Sequence, residues 1–123
     1  NRLKKRIRYK KINKKTKTKF NIMKVYTKDE HPQTSGSFKE YVYATYQQLV
    51  EVLGEPTYDK PSGDDKVQKE WVINYEGNNY TIYDWKTYDE EYTINNLDEW
   101  HIGGNGYAGD FVQELERMLK YPN

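Results

Sequence analysis

Carboxylates, two histidines and a block of lysine and arginine are the groups in this sequence able to do chemistry, and their spacing decides which chemistry that is. Acids crowd residues 84–99: Asp84, the run Asp89-Glu90-Glu91, then Asp98 and Glu99, with Asp64 and Asp65 in an earlier stretch. Such a group can bind a divalent cation, move protons as a pair of acids, or present negative charge to a cationic partner. The run Asp89-Glu90-Glu91 lacks the alternating ligand spacing and central glycine of a calcium loop. A pair of acids for glycoside hydrolysis needs a sugar cleft, which these residues alone do not define. The third use asks only for a rigid surface, since carboxylates held in an array offer a phosphate-like field to a protein whose own groove is basic. Asp84, Asp89, Glu90 and Glu91, with Tyr88 and Tyr92 beside them as aromatic anchors, are therefore the candidate protein-binding residues. The plainer alternative is a solvated acidic surface that favours solubility.

His101 stands between Trp100 and Ile102 in a strand-like run, so it points to the opposite face from both. A carboxylate at Asp98 or Glu99 could tune its proton affinity. No Ser or Cys nucleophile accompanies it, the chain has no cysteine, and His31 falls in a distant loop. The expectation is a half-buried strand histidine making one hydrogen bond. No catalytic residue, metal or cofactor is assigned. Gly103-Gly104 and Gly63-Asp64-Asp65 both lack the Lys-Ser/Thr of a phosphate-binding loop and read as turns.

The basic block is the other signal. Residues 1–24 hold 12 of the 20 Lys/Arg and no acid, leaving eight Lys/Arg against all 19 Asp/Glu in residues 25–123, a balance of −11. The formal net charge of +1 conceals a basic arm joined to an acidic body. Arg2, Lys4, Lys5, Arg6, Arg8, Lys10, Lys11, Lys14 and Lys15 are the candidate nucleic-acid-binding residues. They would neutralise phosphates of DNA or RNA without reading sequence and with strong salt dependence. Tyr9 and Phe20 can stack on unpaired bases. Alternation over residues 6–12 and 16–22 suits a β-ribbon turning at Asn13-Lys14-Lys15. Leu3 and Ile7 equally suit a short amphipathic helix, and a segment that orders only on a polyanion is the third possibility. Met23 is a candidate internal start, which would leave the arm out of one product.

Something must position these groups. At 123 residues, 35% hydrophobic and with a mean hydropathy of −1.17, the chain predicts one thin-cored domain of residues 25–123 behind the arm of residues 1–24. Thirteen tyrosines and three tryptophans supply the bulk that leucine and isoleucine do not. The stretch KEWVINYEGNNYTIYDWK at residues 69–86 reads as a β-hairpin around Glu76-Gly77-Asn78-Asn79. EYVYA at residues 40–44 and EWHIGG at residues 99–104 read as further strands, and residues 88–92 as an acidic loop. Thr45-Tyr46-Gln47-Gln48 is a capping box, with Tyr46, Leu49, Val50 and Leu53 on one helix face and Gly54 and Pro56 as the stop. Asp110 is expected to cap a last helix carrying Phe111, Val112, Leu115, Met118 and Leu119. The order β-α-β-β-β-α predicts an α+β fold, a small mainly antiparallel sheet with two helices packed on one face. No apolar run reaches the roughly 20 residues of a membrane span, and no signal-peptide core follows the basic start. A soluble protein of the host-cell cytoplasm is expected.

TYQQLVEVLGEPT at residues 45–57 resembles the helix-Leu-Gly-x-Pro element of outer-membrane assembly lipoprotein and β-lactamase-inhibitor-like folds. The lipobox and cysteines of those families are not in the sequence, and their function is not carried over. The wider pattern LGEPT…EWVI…TIYDWK…WHIGG, over residues 41–119, is similar to small proteins encoded by phages and prophages. That resemblance implies an accessory protein that modulates a host enzyme or counters host defence. Its expected partner is a host nucleic-acid-binding protein or effector complex, with an anti-CRISPR-type inhibitor favoured, because such effectors combine basic grooves with bound RNA. Two other readings stand beside it: a plain DNA- or RNA-binding protein, and a small enzyme or ligand-binding protein using His101.

Overall fold

The computed structural model describes residues 23–34 and 36–122. Its centre is the expected hairpin: β3 (Glu70–Tyr75) and β4 (Asn78–Tyr83), paired antiparallel from Glu70↔Tyr83 to Tyr75↔Asn78. The turn is the two residues Glu76-Gly77 alone. Their φ values of 53° and 82° are both left-handed, as the primed turn that matches strand twist requires. Trp71, Ile73 and Tyr75 of β3 and Tyr80 and Ile82 of β4 lie on one face and are buried.

Around the hairpin the sheet grows to five strands in the order β1-β3-β4-β5-β2, every pairing antiparallel. β5 (Glu99–Gly104) adds to β4, and β2 (Ser37–Tyr43) closes that side, beginning earlier than the sequence pattern suggested. β1 is two residues, Lys24–Val25, on the far edge of β3. The α+β class is as expected, and both long helices cover the Trp71–Ile82 face. Residues 1–22 of the basic arm, with its ribbon, helix and polyanion-ordering alternatives, lie outside the described residues, while Lys24, the last residue of the 1–24 arm, belongs to β1.

α1 (Tyr46–Leu53) starts at Thr45, whose Oγ1 accepts the Gln48 N–H at 3.2 Å while its own N–H donates to Gln48 Oε1 at 2.8 Å. Gly54, at φ 85°, ends it. Two buried tryptophans fasten both ends of this helix to the sheet. The indole N–H of Trp100 donates to the Ala44 carbonyl at 2.9 Å, and that of Trp71 donates to the Gly54 carbonyl at 3.0 Å. Their rings pack edge to face at 5.5 Å beneath it.

Two local expectations are corrected. The acidic stretch is a third helix, α2 (Glu90–Asn95), because Asp89 caps it by accepting the Tyr92 N–H at 3.2 Å and Glu90 and Glu91 complement its first turn. Six residues with a single isoleucine, Ile94, and one buried member, Thr93, carry too little periodicity to announce a helix. The last helix, α3 (Gly109–Lys120), has Ala108 at its N-cap, so Asp110 is a first-turn residue and not the cap. Phe111 anchors that helix by stacking on Tyr80, rings 4.4 Å apart and 6° from parallel.

Candidate functional site

Even positions of β3 and odd positions of β4 and β5 point away from the helices. Register places Glu70 opposite Tyr83, Tyr83 opposite His101, and His101 opposite Tyr41. These four side chains form one row across β3, β4, β5 and β2. A register break between Phe38 and Glu40 shifts the parity of β2 and brings Phe38 onto the same face as Tyr41. The result is a set of aromatic rings around the imidazole. His101 sits 5.3 Å from Phe38, 5.0 Å from Tyr41 and 5.4 Å from Tyr83 between ring centroids. Trp85 extends the strip, 6.1 Å from Tyr83 and edge to face with it. Phe38 is 47% exposed and Trp85 44%. Glycine at position 103 makes this packing possible, since a Cβ there would stand 2.8 Å from Thr81 Oγ1 and 3.4 Å from the Tyr83 ring.

Burial among rings pushes the His101 imidazole below its ordinary pKa, with Glu99 and Asp84 opposing the shift. The expected hydrogen bond is not made at Nδ1, which is buried without a partner among the described residues. At the other end of the row Glu70 is half-buried, and burial raises its carboxyl, with His31 opposing and Asp84 adding to the rise. It lines a cavity of about 710 Å³ together with His31, Gln33, Thr34, Tyr58 and Lys60.

The candidate protein-binding residues separate on inspection. Asp84 is corrected: it is fully buried and structural, so it cannot meet a partner. Its Oδ1 accepts the backbone N–H groups of Gln68 at 2.8 Å and Lys69 at 3.0 Å, and its Oδ2 accepts the hydroxyls of Thr93 at 2.8 Å and Thr87 at 3.2 Å. Asp89 is the α2 cap. Glu90 holds the buried Lys69 ammonium at 2.9 Å, which also donates to the Asp59 carbonyl at 2.6 Å. Glu91, Tyr88 and Tyr92 are exposed, the two rings 52% and 49%. Glu91 and Tyr92 lie on α2, and Tyr88 stands just before its cap. The candidate nucleic-acid-binding residues Arg2 to Lys15 lie outside the described residues.

The sequence reading missed Phe38, Tyr41, Glu70, Tyr83 and Trp85 as a group. A signal for part of it was present: Glu70, Tyr83 and His101 share outward parity in their strands. Phe38 and Tyr41 do not share parity in sequence, because the bulge that unites them is invisible there. Among the described residues no group of three or more His, Asp or Glu is placed to hold a metal ion, and no helix is long and apolar enough to cross a membrane. No protein-family model, curated protein or solved structure matches this chain. Fold and site together define a small α+β domain with one sheet face covered by helices and the other carrying an aromatic row, while Val72 and Thr81 on that second face are themselves buried.

Proposed function

We propose that this protein is a non-catalytic binding protein that docks on, and inhibits or modulates, a nucleic-acid-handling protein in the host cytoplasm. An anti-CRISPR-type inhibitor is the favoured form. The observation that carries the docking reading is the half-exposed aromatic strip Phe38–Tyr41–His101–Tyr83–Trp85 on the sheet face that no helix covers among the described residues. Solvated antiparallel faces are ordinarily polar, and contiguous rings on one mark a contact surface. The −11 balance of residues 25–123 favours a cationic partner, and the basic arm would hold that partner's nucleic acid. The exposed residues Tyr88, Glu91 and Tyr92 add a second point of contact.

A stacking platform for single-stranded nucleic acid is the second reading, because rings on an open antiparallel sheet are suited to it. The acid excess of the body argues against it. Capture from host lysate, with and without nuclease, separates the two. The docking reading expects a nucleic-acid-handling protein retained after nuclease and lost in the Phe38→Ala/Trp85→Ala double variant. Capture of nucleic acid alone, or protein capture indifferent to the double variant, would overturn it. Removing residues 1–22 should abolish low-salt retention of DNA and RNA. Unchanged retention would dismiss the arm's role.

A further inference from the structure

We infer that the cavity at the Glu70 end of the row is a guanidinium site, taking one arginine side chain of the docked protein. This deepens the docking reading and rests on it. The Glu70 carboxylate sits half-buried in the wall of a cavity of about 710 Å³ and makes no hydrogen bond among the described residues. A carboxylate withdrawn from water and left unpaired is an incomplete arrangement that an incoming cation completes. The direction of its pKa shift, upward through burial, agrees with an unneutralised charge.

The wall chemistry selects among cations. His31 is engaged elsewhere: its Nδ1 donates to the Pro32 carbonyl at 2.8 Å and its Nε2 hydrogen-bonds with the Tyr58 hydroxyl. Neither ring nitrogen is therefore bonded to the Glu70 carboxylate. Tyr58, 37% exposed, offers a ring on which a planar cation can stack. Gln33 and Thr34 add side-chain oxygens beside Glu70. A guanidinium has five donors in a rigid plane and is weakly hydrated, which suits one carboxylate, scattered neutral acceptors and an aromatic wall. An ammonium is compact and strongly hydrated, and gains less from such a wall. Lys60 also lines the cavity, and its charge opposes the ligand. The cavity also adjoins the aromatic strip, because Glu70 and Tyr83 are register partners, so one docked segment can reach both.

The test is an NMR titration of the ¹⁵N-labelled full chain with N-acetyl-arginine amide, and with N-acetyl-citrulline amide as the neutral near-isostere. Saturable shifts around Tyr58 and Glu70 are expected for the arginine compound, with dissociation in roughly the millimolar range expected of a single-side-chain ligand. The citrulline compound should not saturate. E70Q should weaken binding by about tenfold or more, and K60E should strengthen it several-fold by reversing an opposing charge. No saturation, equal binding of both compounds, or indifference to E70Q and K60E overturns the site. Failure of the site is distinguishable from failure of docking. Equal capture of the host protein by wild type and E70Q removes the arginine site and leaves docking intact. Glu70-dependent arginine binding, with protein capture indifferent to the Phe38→Ala/Trp85→Ala variant, removes docking and leaves the site.

Discussion

Tyr83 and His101 face each other across β4 and β5, with ring centroids 5.4 Å apart and planes 30° from parallel. The contact holds the imidazole where burial disfavours its charge, so its folded pKa lies below the ordinary 6.5. Between that folded value and 6.5 the unfolded chain binds the extra proton, and stability therefore rises with pH across the window. On acidification below about pH 6.5 the contribution of the neutral imidazole is lost. His101→Phe keeps a ring in place and has no proton to bind. Urea midpoints at pH 5 and pH 7.5 should show the wild type losing more stability on acidification than His101→Phe. Parallel losses would count against the ring-buried imidazole as the cause.

Glu70 contributes with the opposite sign. Its carboxyl is raised by burial, so the folded state holds its proton to higher pH than the unfolded chain does. Ionising it above that window costs stability, and the cost remains at neutral pH. Glu70→Gln should raise the melting temperature at pH 7 and leave it nearly unchanged at pH 4. For a domain of this size each 1 kcal/mol recovered corresponds to roughly 4–8 °C. A drop in melting temperature at pH 7 would mean that Glu70 is paired in solution. A residue retained at a cost to the free protein is the expected signature of a binding role.

Asp84 joins three segments that share no secondary structure. The N–H groups of Gln68 and Lys69 precede β3, Thr87 belongs to the turn after β4, and Thr93 lies in α2. Asp84→Ala strands two buried backbone donors and leaves the Thr87 and Thr93 hydroxyls only each other and the Asp89 carbonyl, and a loss of about 3–5 kcal/mol is expected. Asp84→Asn keeps one oxygen for the two backbone donors and turns an amide toward hydroxyls that can accept from it. Its cost should be nearer 1–2 kcal/mol. Denaturant titration of both variants decides this, and equal costs would show that charge matters more than the bonding pattern.

What the sequence discloses and what it hides divide along physical lines. The hairpin, the capping box at Thr45 and the Phe111–Leu115 stripe follow from local rules of turn, cap and period, and each is found in place. Asp84 looked like the first of a row of surface acids because charge in a sequence carries no depth. Only its even-numbered parity with Tyr80 and Ile82 marked it as inward. Phe38 and Tyr41 meet because of a bulge, and His31 meets Tyr58 across 27 residues of chain. Neither encounter has a local signature. The aromatic face was half legible, since Tyr83 and His101 were visibly outward, whereas the lack of a helix over them among the described residues is a property of the whole fold.

Gly103 tests how closely the aromatic row is built. Its missing Cβ would lie 2.8 Å from Thr81 Oγ1, a separation real Cβ atoms essentially never show, and 3.4 Å from Tyr83 Cε1. Thr81 is buried in a central strand and has little room to yield. Gly103→Ala is therefore expected to cost about 1–3 kcal/mol through overpacking and to displace the Tyr83 ring from His101. Gly63→Ala, in an open turn with nothing within 4 Å of the added carbon, is the control and should be nearly neutral. Removing the obstructing hydroxyl and methyl with Thr81→Ala should recover part of the loss, so the double variant is more stable than the sum of the single costs predicts. Simple additivity in the denaturation cycle would place the strain of Gly103→Ala elsewhere in the sheet.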